Sequence, residues 1–197
     1  MTTTAITSWQ DYNPRVIDEA VTADLCDRLL GYFATQDYRP RSYQGVVDAR
    51  LRRCDYVAIT DASLAAEVHA LTEPISSLYG VPVEIVAGQD PLVYRYEQGI
   101  GFVTHHDEVT EVEVARAENN GQPVVHGNIT VTVSLSPADR YEGGELYFVD
   151  PPAEFKLPVG AAVTFPATRR VLHGVRPIAS GYRFALLLRF AVADAAR

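Results

Sequence analysis

Residues 128–136 read NITVTVSLS, and their strict alternation decides how the rest of the chain is read. Asn128, Thr130, Thr132, Ser134 and Ser136 share one face, while Ile129, Val131, Val133 and Leu135 share the other. A period of two is that of a β-strand with unlike faces. The polar face is either solvated, as in a half-buried sheet, or lines a wet cavity inside a barrel. Ligand-type residues on neighbouring stretches separate the two readings.

C-terminal to Val81, short apolar runs broken by Gly, Pro, Asp and Asn predict strands near 82–87, 91–97, 102–107, 145–149, 154–157, 160–165, 170–175 and 182–192. N-terminal to it, helix signals dominate. Val16, Ile17 and Asp18 form a short strand, and Thr22 caps a helix to about Phe33 with Leu25, Leu29 and Leu30 on its apolar stripe. A strand is expected at 54–59. Asp61 then caps a second helix, about 62–79, in which Leu64, Val68, Leu71 and Ile75 recur and Pro74 introduces a kink. The fold class is mainly β with flanking helices (α+β), a sandwich or barrel with helices packed on one side. Residues 1–197 are read as one domain, 1–88 a helical support region and 89–192 the β core.

Between two of these strands lies a long connection, EVTEVEVARAENNGQPVVHG at 108–127, read as a solvated loop or hairpin, or as a lid over an adjacent site. The net charge of −8 and pI of about 5.1 disfavour a nucleic-acid partner. Cys26 and Cys54 are too few for a disulfide framework and form no CxxC pair. MTTTAITSWQ has neither a basic start nor an apolar run, so no signal peptide is read and a cytoplasmic location is expected. The apolar stretch FALLLRFAVADAA is interrupted by Arg189 and Asp194 and is too short to span a bilayer.

The segment GFVTHHDEV holds His105, His106 and Asp107. On a strand, residues i and i+2 point the same way about 6.6 Å apart. His105 and Asp107 therefore converge on one cation while His106 points away, unless the register slips by one. His173, in VLHGV, is the candidate third ligand. Two imidazoles and one carboxylate leave metal positions open, which suits non-haem Fe(II) binding a co-substrate and dioxygen. Arg183, ten residues beyond His173, offers a planar guanidinium for bidentate carboxylate binding. Arg183, Ala185, Leu187 and Arg189 share a face of that strand. His69 is read as a helix-surface imidazole, and His126, in the long connection, as a candidate substrate contact.

Taken in order, RYEQGIGFVTHHD, NITVTVSLSP, YEGGELYF, GAAVTFP and VLHGVRPIASGYRFALLLRF resemble the prolyl-4-hydroxylase-like branch of the Fe(II)/2-oxoglutarate-dependent dioxygenases. The resemblance covers about 90–192 and extends loosely to VIDEAVTADLCDRLL. It implies a double-stranded β-helix (jelly roll, cupin-like) core, with Fe(II) on His105, Asp107 and His173. It implies that Arg183 pairs with the C5 carboxylate of 2-oxoglutarate, and that Tyr96 and Thr130 line the same pocket. Ser134 falls where some relatives carry a co-substrate-binding Tyr, which leaves the tail contacts open. Gly143 and Gly144 match the family's GG turn, read as a plain tight turn. An intact Asp107 argues against the halogenases, which carry a small residue there.

The implied reaction hydroxylates a C–H bond with release of succinate and CO2, using O2, with ascorbate as a supporting reductant. An amino acid or small metabolite is the favoured substrate, and a prolyl or other peptidyl side chain of a protein the alternative. Arg169 and Arg170 are candidate substrate contacts. The spacing of Arg183 and Arg189 also resembles the demethylases of the same superfamily. A non-catalytic β-barrel binding module is the reading from another class, and buried His and Asp without a ligand argue against it. No membrane partner is expected, and the protein is read as a monomer or homodimer.

Overall fold

The computed structural model describes residues 8–11, 13–40, 54–86, 88–121 and 127–193. In chain order the elements are β1 (Arg15–Ile17), α1 (Ala23–Thr35), β2 (Arg39–Pro40), β3 (Asp55–Ala58), α2 (Ala62–His69), α3 (Thr72–Tyr79), β4 (Val83–Ile85), β5 (Leu92–Tyr96) and β6 (Phe102–His105). There follow α4 (Glu111–Asn119), β7 (Ile129–Ser134), β8 (Tyr141–Gly143), β9 (Leu146–Phe148), β10 (Ala153–Phe155), β11 (Ala162–Pro166), β12 (His173–Val175), β13 (Ile178–Gly181) and β14 (Arg183–Val192).

The alternating stretch lies at the centre of the larger sheet. That sheet runs β1-β11-β7-β14-β5-β3-β2, with β4 also pairing with β14. A smaller sheet, β10-β9-β12-β6, and the β13-β8 pair make up the rest of the described sheet structure. Ile129, Val131 and Val133 of β7 and Leu186, Leu188 and Phe190 of β14 face the helices, packed with Leu29 of α1, Val68 of α2 and Ile75 of α3. Each such fully buried side chain contributes about 2 kcal/mol by leaving water. The opposite face, carrying Thr130, Thr132 and Ser134, looks into a second cluster built from Phe102, Phe148, Phe165 and Val175. The polar face of β7 is therefore an interior surface that lines a cavity, and the helices pack on one sheet as expected.

Several expectations are corrected. The helix expected at 62–79 is two helices. Pro74 has no N–H and its ring crowds the carbonyl four residues back, at Ala70, so the chain breaks at Ala70–Leu71 and restarts with Pro74 in the first turn. The connection at 108–127 contains the nine-residue helix α4, with the Val114 N–H donating to the Thr110 carbonyl at 3.0 Å. The Glu–Val alternation at 111–114 carries no helical period in the sequence, which conceals the helix. Strands β2, β8 and β13 were not anticipated; they are two to four residues long and carry no periodicity of their own. The strand expected at 102–107 ends at His105, with consequences for Asp107. No helix among the described residues is long and apolar enough to cross a membrane.

Candidate metal centre and co-substrate cavity

His105 and His173 are direct partners on the β6–β12 ladder, which sets their rings 4.3 Å apart between centroids. Nδ1 of His105 lies 2.9 Å from the Val103 carbonyl, and Nδ1 of His173 lies 3.1 Å from the Val171 carbonyl. A carbonyl only accepts, so in the neutral rings each Nδ1 carries the proton and each Nε2 presents its lone pair. Both lone pairs belong to one small space, closed by Asp107. Its Oδ1 is 3.6 Å from Nε2 of His105, and its Oδ2 is 3.8 Å from Nε2 of His173. One donor atom from each of the three residues falls within 4.8 Å of the others, as a shared metal ion requires.

Asp107 is not held by a strand, since β6 ends two residues earlier. Simple alternation does not place it; side chains from the neighbouring sheet do. Thr130 Oγ1 donates to Oδ2 at 2.7 Å, and the Arg189 guanidinium pairs with Oδ1 at 2.9 Å while donating to the Asp107 carbonyl at 3.0 Å. Thr130 and Arg189 face each other across the β7–β14 ladder. Gly127 leaves room for the Arg189 stem, because a Cβ there would stand 2.9 Å from Arg189 Cδ.

The electrostatics suit a metal. Burial alone would raise the Asp107 pKa, but the Arg189 charge foremost, with His105 and His173 adding to it, holds it well below the usual carboxylate range. Burial among aromatic rings lowers the His173 pKa to about 4, against the pull of Asp107. Phe165 and Phe148 stand 4.5 and 5.6 Å from the His173 ring between centroids. At neutral pH the charge lowering Asp107 is therefore that of Arg189 rather than of His173. A neutral imidazole and an ionised carboxylate are the forms that bind a divalent cation, so the three residues fit one.

From this centre a cavity runs between the sheets to Arg183. Tyr94, Tyr96, Thr130 and Thr132 line its walls. Arg183 is 6% exposed, and among the described residues no Asp or Glu pairs with it. Its guanidinium carbon lies 5.3 Å from the Tyr96 ring centroid. Beyond it, a narrower recess is lined by Thr132, Ser134, Tyr141 and apolar side chains.

The sequence-derived set thus divides. His105, Asp107, His173, Thr130, Tyr96 and Arg183 meet around one cavity, and Ser134 lines its inner end. His106 stays out of the group. Arg169 and Arg170 do not line this cavity but a separate surface hollow, with Gln10, Glu108 and Thr168. Arg169 is engaged by Glu108 through its backbone N–H at 2.8 Å and its guanidinium at 2.8 and 2.6 Å, as a brace across this hollow. His126 lies outside the described residues. Arg189 was noted only for its face and spacing from Arg183, and Thr132, Tyr94 and Tyr141 were given no site role. The first three share strand faces with Arg183, Thr130 and Tyr96, so alternation carried the signal; Tyr141 had none beyond preceding the GG turn.

The family model described as the 2OG-Fe(II) oxygenase superfamily matches residues 91–190, the stretch that carries all three metal-type ligands and Arg183. The chain belongs to that superfamily. Among curated proteins, the chain is 38% identical over 97 residues to a PKHD-type hydroxylase of Paraburkholderia phymatum, covering 48% of this chain and 40% of that relative. It is 35% identical over 114 residues to a PKHD-type hydroxylase of Paracoccus denitrificans, covering 57% and 46%. The chain thus spans less than half the length of these relatives. Among solved structures, the viral collagen prolyl hydroxylase of Paramecium Bursaria Chlorella virus-1 superposes with a TM-score of 0.68 at 16% identity, covering 93% of this chain and 98% of that one. A Pseudomonas putida prolyl-4-hydroxylase superposes with a TM-score of 0.65 at 17% identity, covering 91% and 93%. At such identities the likeness is one of fold, and that fold is the double-stranded β-helix.

Proposed function

We propose that this oxygenase hydroxylates a C–H bond of an amino acid, small metabolite or peptidyl residue, with iron on His105, Asp107 and His173 and 2-oxoglutarate reaching from the iron to Arg183. One observation carries the reading: a buried guanidinium with no carboxylate partner among the described residues lies across a single cavity from a His–Asp–His cluster. Burying an unpaired cation is costly, so the site is built to receive an anion. A dicarboxylic acid that also reaches the metal answers both ends.

Bound together, iron, 2-oxoglutarate and O2 supply the oxidising power, with succinate and CO2 as by-products. The chain itself contributes position and shelter. Asp107 serves as a ligand, kept ionised by Arg189 and oriented by Thr130, and not as a general base. Phe148 and Phe165 exclude water around His173. The relatives named as PKHD-type and prolyl hydroxylases support hydroxylation over demethylation.

The test is succinate formation from 2-oxoglutarate by protein loaded anaerobically with Fe(II), then given ascorbate and air, with His173→Ala as the control. Slow turnover without added substrate is expected, lost in His173→Ala. A panel of amino acids and peptides then identifies the substrate by faster turnover. No turnover, together with no calorimetric binding of 2-oxoglutarate in the presence of Mn(II), overturns the reading and favours a binding module.

A further inference from the structure

We propose that Tyr141 of β8, and not Ser134 of β7, supplies the hydroxyl that donates to the far carboxylate of the co-substrate beside Arg183. The proposal rests on the reading of the cavity as a 2-oxoglutarate pocket and assigns the residue that reads its distal end.

A carboxylate accepts hydrogen bonds, so its site must offer donors. A hydroxyl has one proton to give. Ser134 Oγ gives its proton to the Ser136 carbonyl at 3.2 Å, and Ser136 Oγ accepts from the Phe184 N–H at 2.7 Å. Both serines are buried, at 6% and 4% exposure, and this pair of bonds ties the end of β7 to β14. Ser134 is left with lone pairs only, the wrong polarity for a carboxylate.

Tyr141 is differently placed. It lines the inner recess together with Arg183 and is 4% exposed. Both side chains come to within 3.2 Å of where a Cβ on Gly144 would stand, so the Arg183 charge bears on the Tyr141 hydroxyl. A guanidinium only donates, so Arg183 makes no claim on the Tyr141 proton, which stays available for a third group. Burial raises the Tyr141 pKa, against the lowering effect of Arg183, and the hydroxyl keeps that proton at neutral pH.

The ring is also fixed in advance. Gly144 lies against the ring and Gly181 against its root: a Cβ on Gly144 would stand 3.2 Å from Tyr141 Cε2, and one on Gly181 would stand 3.2 Å from Tyr141 Cβ. On a further side Lys156 Nζ donates to the Tyr141 carbonyl at 2.7 Å and sits 4.5 Å from the ring centroid. Little side-chain freedom remains to be lost on binding, so the hydroxyl contributes nearly its full strength.

The test uses the whole chain with Mn(II) and two titrants. One is 2-oxoglutarate; the other is 2-oxopentanoate, of equal length but lacking the far carboxylate. Tyr141→Phe, which keeps the ring, is expected to weaken 2-oxoglutarate about tenfold and to leave 2-oxopentanoate and Mn(II) affinities unchanged. Ser134→Ala is expected to cost less. Equal loss for both titrants would mark Tyr141 as merely structural and overturn the proposal, as would unchanged 2-oxoglutarate binding in Tyr141→Phe or a larger loss in Ser134→Ala. Wild-type protein that fails to bind 2-oxoglutarate overturns the pocket reading and this assignment with it; wild-type binding that Tyr141→Phe leaves intact overturns this assignment alone.

Discussion

Arg189 holds Asp107 at two points, its carboxylate Oδ1 at 2.9 Å and its own backbone carbonyl at 3.0 Å. The residue one expects to meet a metal is thus already paired with a cation, and the consequences differ with and without metal.

Replacing Arg189 by Met leaves Asp107 buried with Thr130 as its remaining anchor. Removing one partner of a buried pair costs about 3 kcal/mol. A divalent ion supplies the missing positive charge, so Mn(II) should recover much of the loss. Thermal melts of wild type and Arg189→Met, with and without Mn(II), are expected to show the larger metal-induced rise in the variant. The same deficit in both conditions would assign the effect to packing.

Acid should weaken the metal-free protein through His173. Its pKa is lowered from 6.5 to about 4 in the fold, chiefly by burial. The unfolded chain therefore takes up the proton first as pH falls. Stability from this group is complete above about 6.5, declines through the window down to about 4, and totals roughly 3 kcal/mol. Asp107, lowered from 3.8, adds a loss at still lower pH. Denaturant melts at stepped pH should show this slope in wild type and a flatter one in His173→Asn over the 6.5-to-4 window.

The GG turn does more than reverse the chain. Gly144 has φ +71°, and a Cβ there would collide with Ile178 Cδ1 and stand 3.2 Å from Arg183 Cδ. Gly144→Ala should cost about 2 kcal/mol in chemical denaturation, from backbone strain and crowding. Because the crowding falls on Arg183, 2-oxoglutarate binding should weaken in the same variant, whereas Gly121→Ala, at another positive φ but with open space around it, should affect stability alone.

The brace between Glu108 and Arg169 is exposed, at 33% and 71% of the side chains. Such pairs contribute less than about 1 kcal/mol and are screened by salt. Arg169→Ala should therefore destabilise only slightly at low ionic strength, with the difference vanishing near 1 M NaCl. A large, salt-insensitive loss would show that the turn before His173 depends on Arg169 in some other way.

The sequence by itself determined the elements that obey a period. Alternation in β7 and β14 sorted Thr130 and Arg183 from Ile129 and Leu186, and the spacing of His105, Asp107 and His173 named the metal-type ligands before any coordinate. The sorting of faces is a local property, because strand geometry sends every second side chain to the same side. Tertiary structure alone decided what holds those ligands. Asp107 lies beyond the end of β6, so its position depends on Thr130 and Arg189, 23 and 82 residues away along the chain. It also decided that Arg169 is occupied by Glu108, that Ser134 has given up its proton, and that Tyr141 and Arg183 line one recess. Each is a contact between segments distant in sequence, fixed by how the sheets stack, and no periodicity within one segment encodes it.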